Sequence, residues 1–174
     1  MLEGVMDEFR KQYTVTCFNN APLNILMWSH YAKNHEGFMV EFRFPKKQLE
    51  SIPMPVIYTE NYPIVSLPWN LVEFLNGASN QYEILKKIFL NKSTDWGYEN
   101  EYRLIAEKEF IDFPYQIISS VILGTKVKDK SEKKIKEVIN KFNKNNNTDI
   151  QIYRSKLMYK KYKLEIPLHP RLSK

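Results

Sequence analysis

The sequence predicts an α+β fold, a single domain (1–174) with a mixed, largely antiparallel sheet and about four helices. Three observations predict it. Strand-like runs outnumber helical ones. The helical runs do not alternate regularly with the strands, unlike a doubly wound chain. Residues 38–44 alternate as a strand with one buried face does: Phe38, Val40, Phe42 and Phe44 on one side, Met39, Glu41 and Arg43 on the other.

In chain order, residues 13–18 read as a strand because they are β-branched and aromatic. Asn19 or Asn20 suits the cap of a helix running from about Pro22 to Asn34, with Pro22 in its first turn. At 100° per residue, Leu23, Leu26, Met27 and His30 share one face of that helix. Trp28 and Tyr31 flank this face, while Ser29 and Lys33 point away. Gly37 breaks the helix before the alternating strand. Pro53 and Pro55 confine the next strand, near residues 56–58, to an edge or a late start. Helical segments are expected at about 69–76 and 80–91, and strands at 98–106 and 117–123, the last ending at Gly124. Ser131 is the expected cap of a helix over about 132–143, with Ile135, Val138, Ile139 and Phe142 as its apolar stripe. The Asn-rich run 143–147 reads as a loop, and strands near 150–153 and 162–166 close the fold.

Composition bounds the function. A chain of 174 residues buries a real core, roughly 70% of the surface its unfolded form exposes. Apolar runs such as Val121–Leu123 fall far short of the about 20 residues that span a bilayer. The opening residues Met1–Glu8 are acidic and lack the basic-then-apolar order of a secretory signal. The expectation is a cytoplasmic protein with no membrane contact. Cys17 is the only cysteine, so no internal disulfide forms, and a small buried strand position suits it. The net charge of +6 is carried by the carboxy-terminal part, dense in lysine from Lys126 onward. That half has the charge to attract nucleic acid or another anionic partner. The plainer alternative is a solvated helix face, which the scarcity of arginine there (Arg154, Arg171) favours. Oligomeric state is not legible in the sequence.

Two segments could carry chemistry. His30 and Tyr31 border the expected buried face of the first helix. A histidine changes charge near neutral pH, and a tyrosine ring stacks on flat ligands. The competing reading is a core histidine among plain core aromatics, Trp28 included. His35, just past the helix end, is expected to stabilise the helix dipole as a cation. On the strand 98–106, residues two apart share a face, so Glu99, Glu101 and Arg103 form a row. Such a row is costly to bury without partner charges or a ligand. Paired carboxylates can divide acid and base roles. The competing reading is a solvent-facing ion-pair row. Lys92 could contact a phosphate or carboxylate. The three histidines and single cysteine form no zinc cluster of usual spacing, and neither a Gly-rich phosphate loop nor a Gly-x-Ser-x-Gly elbow occurs.

Several motifs carry a resemblance: Val15-Thr16-Cys17-Phe18, Met27-Trp28-Ser29-His30-Tyr31-Ala32 and His35-Glu36-Gly37-Phe38, then Val56-Ile57-Tyr58. Lys92 followed by Trp96-x-Tyr98-Glu99-x-Glu101-x-Arg103, and Val121-Ile122-Leu123-Gly124, complete the set. In this order they resemble the bacterial domain-of-unknown-function family 2971, across nearly the whole chain. The resemblance implies no settled reaction. Members of that family usually begin with a His-Tyr-Thr-type strand, a helix and an Asn-Asp-Pro-type turn. The resemblance therefore implies a short or amino-terminally truncated member lacking one wall of its pocket.

The family plan is loosely similar to that of ADP-ribosyltransferases, an analogy at the level of fold. It implies a nucleotide-handling domain of a toxin or phage-defence type, with NAD as substrate rather than bound cofactor. Glu101, with Glu99 and His30, would be catalytic. Tyr31, Trp28, Arg103 and Lys92 would bind substrate. The alternative is a non-catalytic module binding nucleic acid or a partner protein through the basic carboxy-terminal half.

Overall fold

The computed structural model describes Lys11 and residues 13–45, 52–64, 81–107 and 113–173. In chain order the elements are β1 (Thr14–Asn19), α1 (Ile25–Tyr31), β2 (Phe38–Phe42), β3 (Met54–Pro55), β4 (Ile57–Thr59), α2 (Gln81–Phe89) and β5 (Asn91–Ser93). A 3-10 helix (Thr94–Glu99), β6 (Glu101–Ala106), a second 3-10 helix (Tyr115–Ile117) and β7 (Ile118–Leu123) follow. α3 (Asp129–Asn146), β8 (Gln151–Arg154), β9 (Lys156–Leu157) and β10 (Leu164–Glu165) complete the order. The fold is α+β with mixed, largely antiparallel pairing, as the sequence predicts. Only β4 with β5 and β7 with β8 run parallel among the described strands. The expected helix at 69–76 lies outside the described residues.

The chain divides into two compact units that interleave in sequence. One comprises residues 1–20 and 50–112, the other 21–49 and 113–174. In the first, β6 is the central strand of a three-stranded sheet, order β1-β6-β3. Both its pairings are antiparallel, with Cys17 opposite Arg103 on one side and Met54 opposite Arg103 on the other. Pro55 cannot donate to a ladder, and β3 accordingly sits at an edge. Tyr13 anchors a small core with Leu85, Ile88, Phe89 and Ile105.

In the second unit β7 lies between antiparallel β2 and parallel β8. Its run Val121-Ile122-Leu123 is buried on both faces, which explains why it reads as continuously apolar. Ile122 joins Trp28, Ala32, Leu164 and Ile166 on one face. Val121 and Leu123 join Val127 and Ile150 on the other, where Ile135, Ile139 and Phe142 of α3 pack against them. Burying each such aliphatic side chain contributes about 1.5–3 kcal/mol.

Two helices depart from expectation. α1 starts at Ile25, not Pro22, because Asn24 caps it: its Oδ1 accepts from the Leu26 N–H at 2.9 Å. It ends at Tyr31 because Lys33, Asn34 and His35 take left-handed conformations, φ 48°, 51° and 71°. The buried side is consequently Met27, Trp28 and Ala32, while Leu26, His30 and Tyr31 are exposed. His30 therefore does not border the buried face, and Ser29 does not point away, since its hydroxyl lies 3.4 Å from Nε2 of the buried His35. α3 begins at Asp129, with Lys128 in the cap position, and Ser131 lies inside it rather than capping it. Asp129 and Glu132 in the first turn complement the helix dipole instead. The helix also absorbs most of the Asn-rich run and stops at left-handed Asn147. Of the expected stripe, Val138 is 57% exposed.

Candidate functional site: a buried acid–base cluster

The strand expected at 98–106 is two elements joined by a hinge. Ser93 opens a 3-10 turn, its hydroxyl accepting from the Asp95 N–H at 3.3 Å. The turn runs through Glu99 and ends at Asn100, which is left-handed at φ 46°. Asn tolerates that conformation better than most residues. Its backbone is tied to Asn20, whose N–H donates to the Asn100 carbonyl at 3.0 Å. β6 begins only at Glu101. Glu99 is therefore not on the strand, and the expected strand-face row is corrected to a convergence across a turn.

That convergence is on Lys92. It leaves β5 beside Tyr58 of β4 and donates to Glu99 Oε2 and, at 3.0 Å, to Glu101 Oε2. Arg103, two positions along β6 from Glu101, donates from Nε to Oε1 at 2.8 Å and from Nη2 to Oε2 at 3.1 Å. Its Nη1 donates to the Phe89 carbonyl at 2.5 Å. The Glu101 N–H donates to the Tyr58 hydroxyl at 2.8 Å. Glu99 is 2% exposed and Glu101 6%, so the row does not face bulk water. Two half-buried cations meet the two buried anions, which is what makes burial of the carboxylates tolerable.

The charges tune one another. Burial alone would raise the Glu101 carboxyl. Hydrogen bonds from Arg103, the Cys17 thiol and Lys92, with the Arg103 charge, outweigh burial and hold it at about 2. Burial and the same carboxylate push the Cys17 thiol up to about 11. Cys17 is exposed, not the buried strand residue expected, and at that value it is a thiol rather than a nucleophilic thiolate near neutral pH. The two glutamates push Lys92 above its ordinary value against the opposing effect of burial. Glu101 is thus a fixed anion: it can accept hydrogen bonds or stabilise positive charge, but it is not a proton donor at neutral pH. Beside the cluster, the Trp96 ring lies 5.0 Å from Lys92 Nζ and 6.0 Å from the Tyr98 ring. It is 41% exposed.

The other sequence candidates lie in the second unit. Trp28 is 3% exposed and its indole N–H donates to the Pro22 carbonyl at 2.8 Å. His30 and Tyr31 are exposed, their rings edge to face at 6.2 Å. His35 corrects an expectation: it is buried, stacked on Trp28 at 6.4 Å, and burial with the nearby Lys126 charge lowers its pKa. It is a neutral core residue rather than a cation serving the helix dipole.

Residues 27–104 match the model of the protein family of unknown function DUF2971. The match covers less than half of the chain. The matched region opens on Met27-Trp28-Ser29-His30-Tyr31, contains Lys92, Glu99, Glu101 and Arg103, and ends at Leu104 inside β6. No curated protein and no solved structure matches the chain. No helix among the described residues is long and apolar enough to cross a membrane.

Sequence reasoning missed a second polar cluster, around Glu41 of β2, whose partners Ser120, His169 and Arg171 lie beyond the matched residues. Its Oε2 accepts from the Ser120 hydroxyl at 2.7 Å and lies 3.3 Å from His169 Nε2, while Arg171 pairs with its Oε1. The Arg171 N–H donates to His169 Nδ1 at 3.2 Å, so Nε2 carries the imidazole proton. His169 and Ser120 are 0% and 1% exposed, which makes this cluster an internal clasp. The one available signal was a carboxylate on the half-buried alternating strand. An apolar cavity of about 430 Å³ also lies between α3 and β2, lined by Phe38, Val40, Val138 and Phe142 among others, and contains none of the expected site residues.

Proposed function

We propose that the Lys92–Glu99–Glu101–Arg103 cluster is the ligand-handling centre of the chain, and that it serves an ADP-ribosyltransferase-like reaction on NAD. The observation that carries this reading is Glu101: nearly fully buried, yet held ionised by Arg103 and Lys92. A buried carboxylate that stays anionic suits a ribose hydroxyl in the ground state and the positive charge that develops on the sugar as its bond to nicotinamide breaks. In that step nicotinamide leaves with the bonding electron pair. An acceptor nucleophile, giving up its proton, forms the new bond to the same ribose carbon. Trp96, half exposed beside Lys92, offers a flat surface for an aromatic ring of the ligand.

The test is calorimetric binding of NAD, and its loss over time, by the wild type, Glu101→Gln and Trp96→Ala. Glu101→Gln should lower NAD turnover at least about a hundredfold, as expected when a charge aimed at the transition state is removed. Trp96→Ala, which leaves the buried ion pairs in place, should weaken binding. Equal behaviour of all three proteins, or no binding by the wild type, removes the transferase reading.

A further inference from the structure

We infer that the β9–β10 hairpin is a binding site for single-stranded nucleic acid, using Tyr159 and Tyr162 as stacking platforms and Lys156, Lys160, Lys161 and Lys163 as phosphate contacts.

The hairpin is held firmly at its base. Leu157 pairs with Leu164 and Lys156 with Glu165 in the antiparallel ladder. Before it, the buried Ser155 donates from both its N–H and its hydroxyl to the Leu123 carbonyl, at 2.9 and 3.0 Å. Leu164 of β10 and Ile166 just after it enter the core. The tip is ordered too. The Met158 N–H donates to the Lys163 carbonyl at 2.9 Å, the Lys161 N–H donates to the Met158 carbonyl at 3.3 Å, and Lys160 takes a left-handed φ of 54°.

On this anchored frame the side chains contribute little to folding. Tyr162 is 99% exposed and Tyr159 84%. An aromatic ring left almost wholly in water forgoes the stabilisation that its burial would supply. From Lys156 to Lys163 the sequence Lys-Leu-Met-Tyr-Lys-Lys-Tyr-Lys has no acidic residue, and all four lysines are exposed. Lys160 Nζ lies 5.1 Å from the Tyr159 ring, so charge and aromatic face are already side by side. Exposed rings interleaved with cations are what an unpaired strand requires, because bases stack on the rings while the backbone follows the charge. A duplex, whose bases are already stacked, offers the rings nothing. A lipid surface fits less well: the apex Tyr159-Lys160-Lys161-Tyr162 carries no aliphatic side chain to bury among acyl chains.

The experiment is fluorescence anisotropy with labelled oligo-dT and oligo-U, an equal-length duplex, and a co-sedimentation arm with phosphatidylserine vesicles. The wild type should bind both single strands more tightly than the duplex. With the four lysines engaged, raising salt from 50 to 200 mM should weaken binding roughly fiftyfold. The double variant Tyr159→Leu, Tyr162→Leu should bind at least about tenfold more weakly with the same salt slope. Tyr159→Phe, Tyr162→Phe, which keeps both rings, should bind as the wild type does. Lys160→Gln, Lys161→Gln should flatten the salt slope by about 1.4. The proposal is overturned by absent oligonucleotide binding, by equal binding of the leucine and phenylalanine variants, or by retention on vesicles without retention of single strands.

Discussion

Arg103 holds Glu101 from two positions along the same strand through two parallel hydrogen bonds, Nε to Oε1 at 2.8 Å and Nη2 to Oε2 at 3.1 Å. Fork-to-fork pairing of this kind is the strong form of an ion pair. Arg103→Met should therefore cost about 3–5 kcal/mol, because it leaves Glu101 buried with a single shared cation. The double variant Glu101→Met, Arg103→Met removes both charges and leaves Lys92 matched to Glu99. It should be more stable than the single variant. Urea midpoints at unchanged slope measure the difference. A double variant no better than the single would mean that the pairing geometry does not govern stability here.

Stability should fall in two separate steps on the acid side. His35 and His169 are each held below the ordinary 6.5, first by burial and then by a nearby cation, Lys126 for His35 and Arg43 for His169. Glu41 beside His169 acts in the opposite sense. A lowered histidine takes up protons more readily in the unfolded chain, so stability is full above about 6.5 and declines as pH falls below it. Glu101 is held at about 2 against an ordinary 4.5, so its contribution is present above 4.5 and lost as pH drops toward 2. Thermal melts from pH 7.5 to 3 should show the first decline flattened in His35→Asn, which tolerates the left-handed backbone, and in His169→Gln. Glu101→Gln should flatten only the second. A wild-type midpoint constant from pH 7.5 to 5 would contradict the histidine assignment.

Gly124 is expected to accept no side chain. A Cβ there would lie 2.2 Å from the His35 carbonyl oxygen and 2.9 Å from that of Gly37, both backbone atoms that cannot swing aside. The Gly124 N–H already donates to the Gly37 carbonyl at 2.9 Å. Gly124→Ala should cost at least about 1–3 kcal/mol through overpacking. Gly97→Ala, where nothing lies within 4 Å, is the matched control and should leave the urea midpoint near that of the wild type. Equal loss in both would mean that the close approach at Gly124 is not the cause.

What was legible followed from local pattern. The alternation at 38–44 gave β2, and the spacing of Ile135, Ile139 and Phe142 gave the buried stripe of α3. What was not legible was set by distant partners. α1 stops early because the His35 and Gly37 carbonyls are engaged from Lys126 and Gly124, some ninety residues on. Glu99 was grouped with Glu101 by a strand rule that does not apply to it. The two still meet, because left-handed Asn100 turns the chain between them. The Glu41–His169 clasp joins residues 128 apart in sequence, beyond any periodicity.

That clasp changes what the last stretch of the chain is for. Ile166 and His169 are both 0% exposed, and Leu172 packs on the Trp28 cluster. Carboxy-terminal residues usually fray and tolerate trimming. Here they act as a stopper in the second unit. Shortening the chain behind Ser155 would uncork Trp28 and Ile122, leaving a sheet with one wet face rather than a protein with a shorter tail.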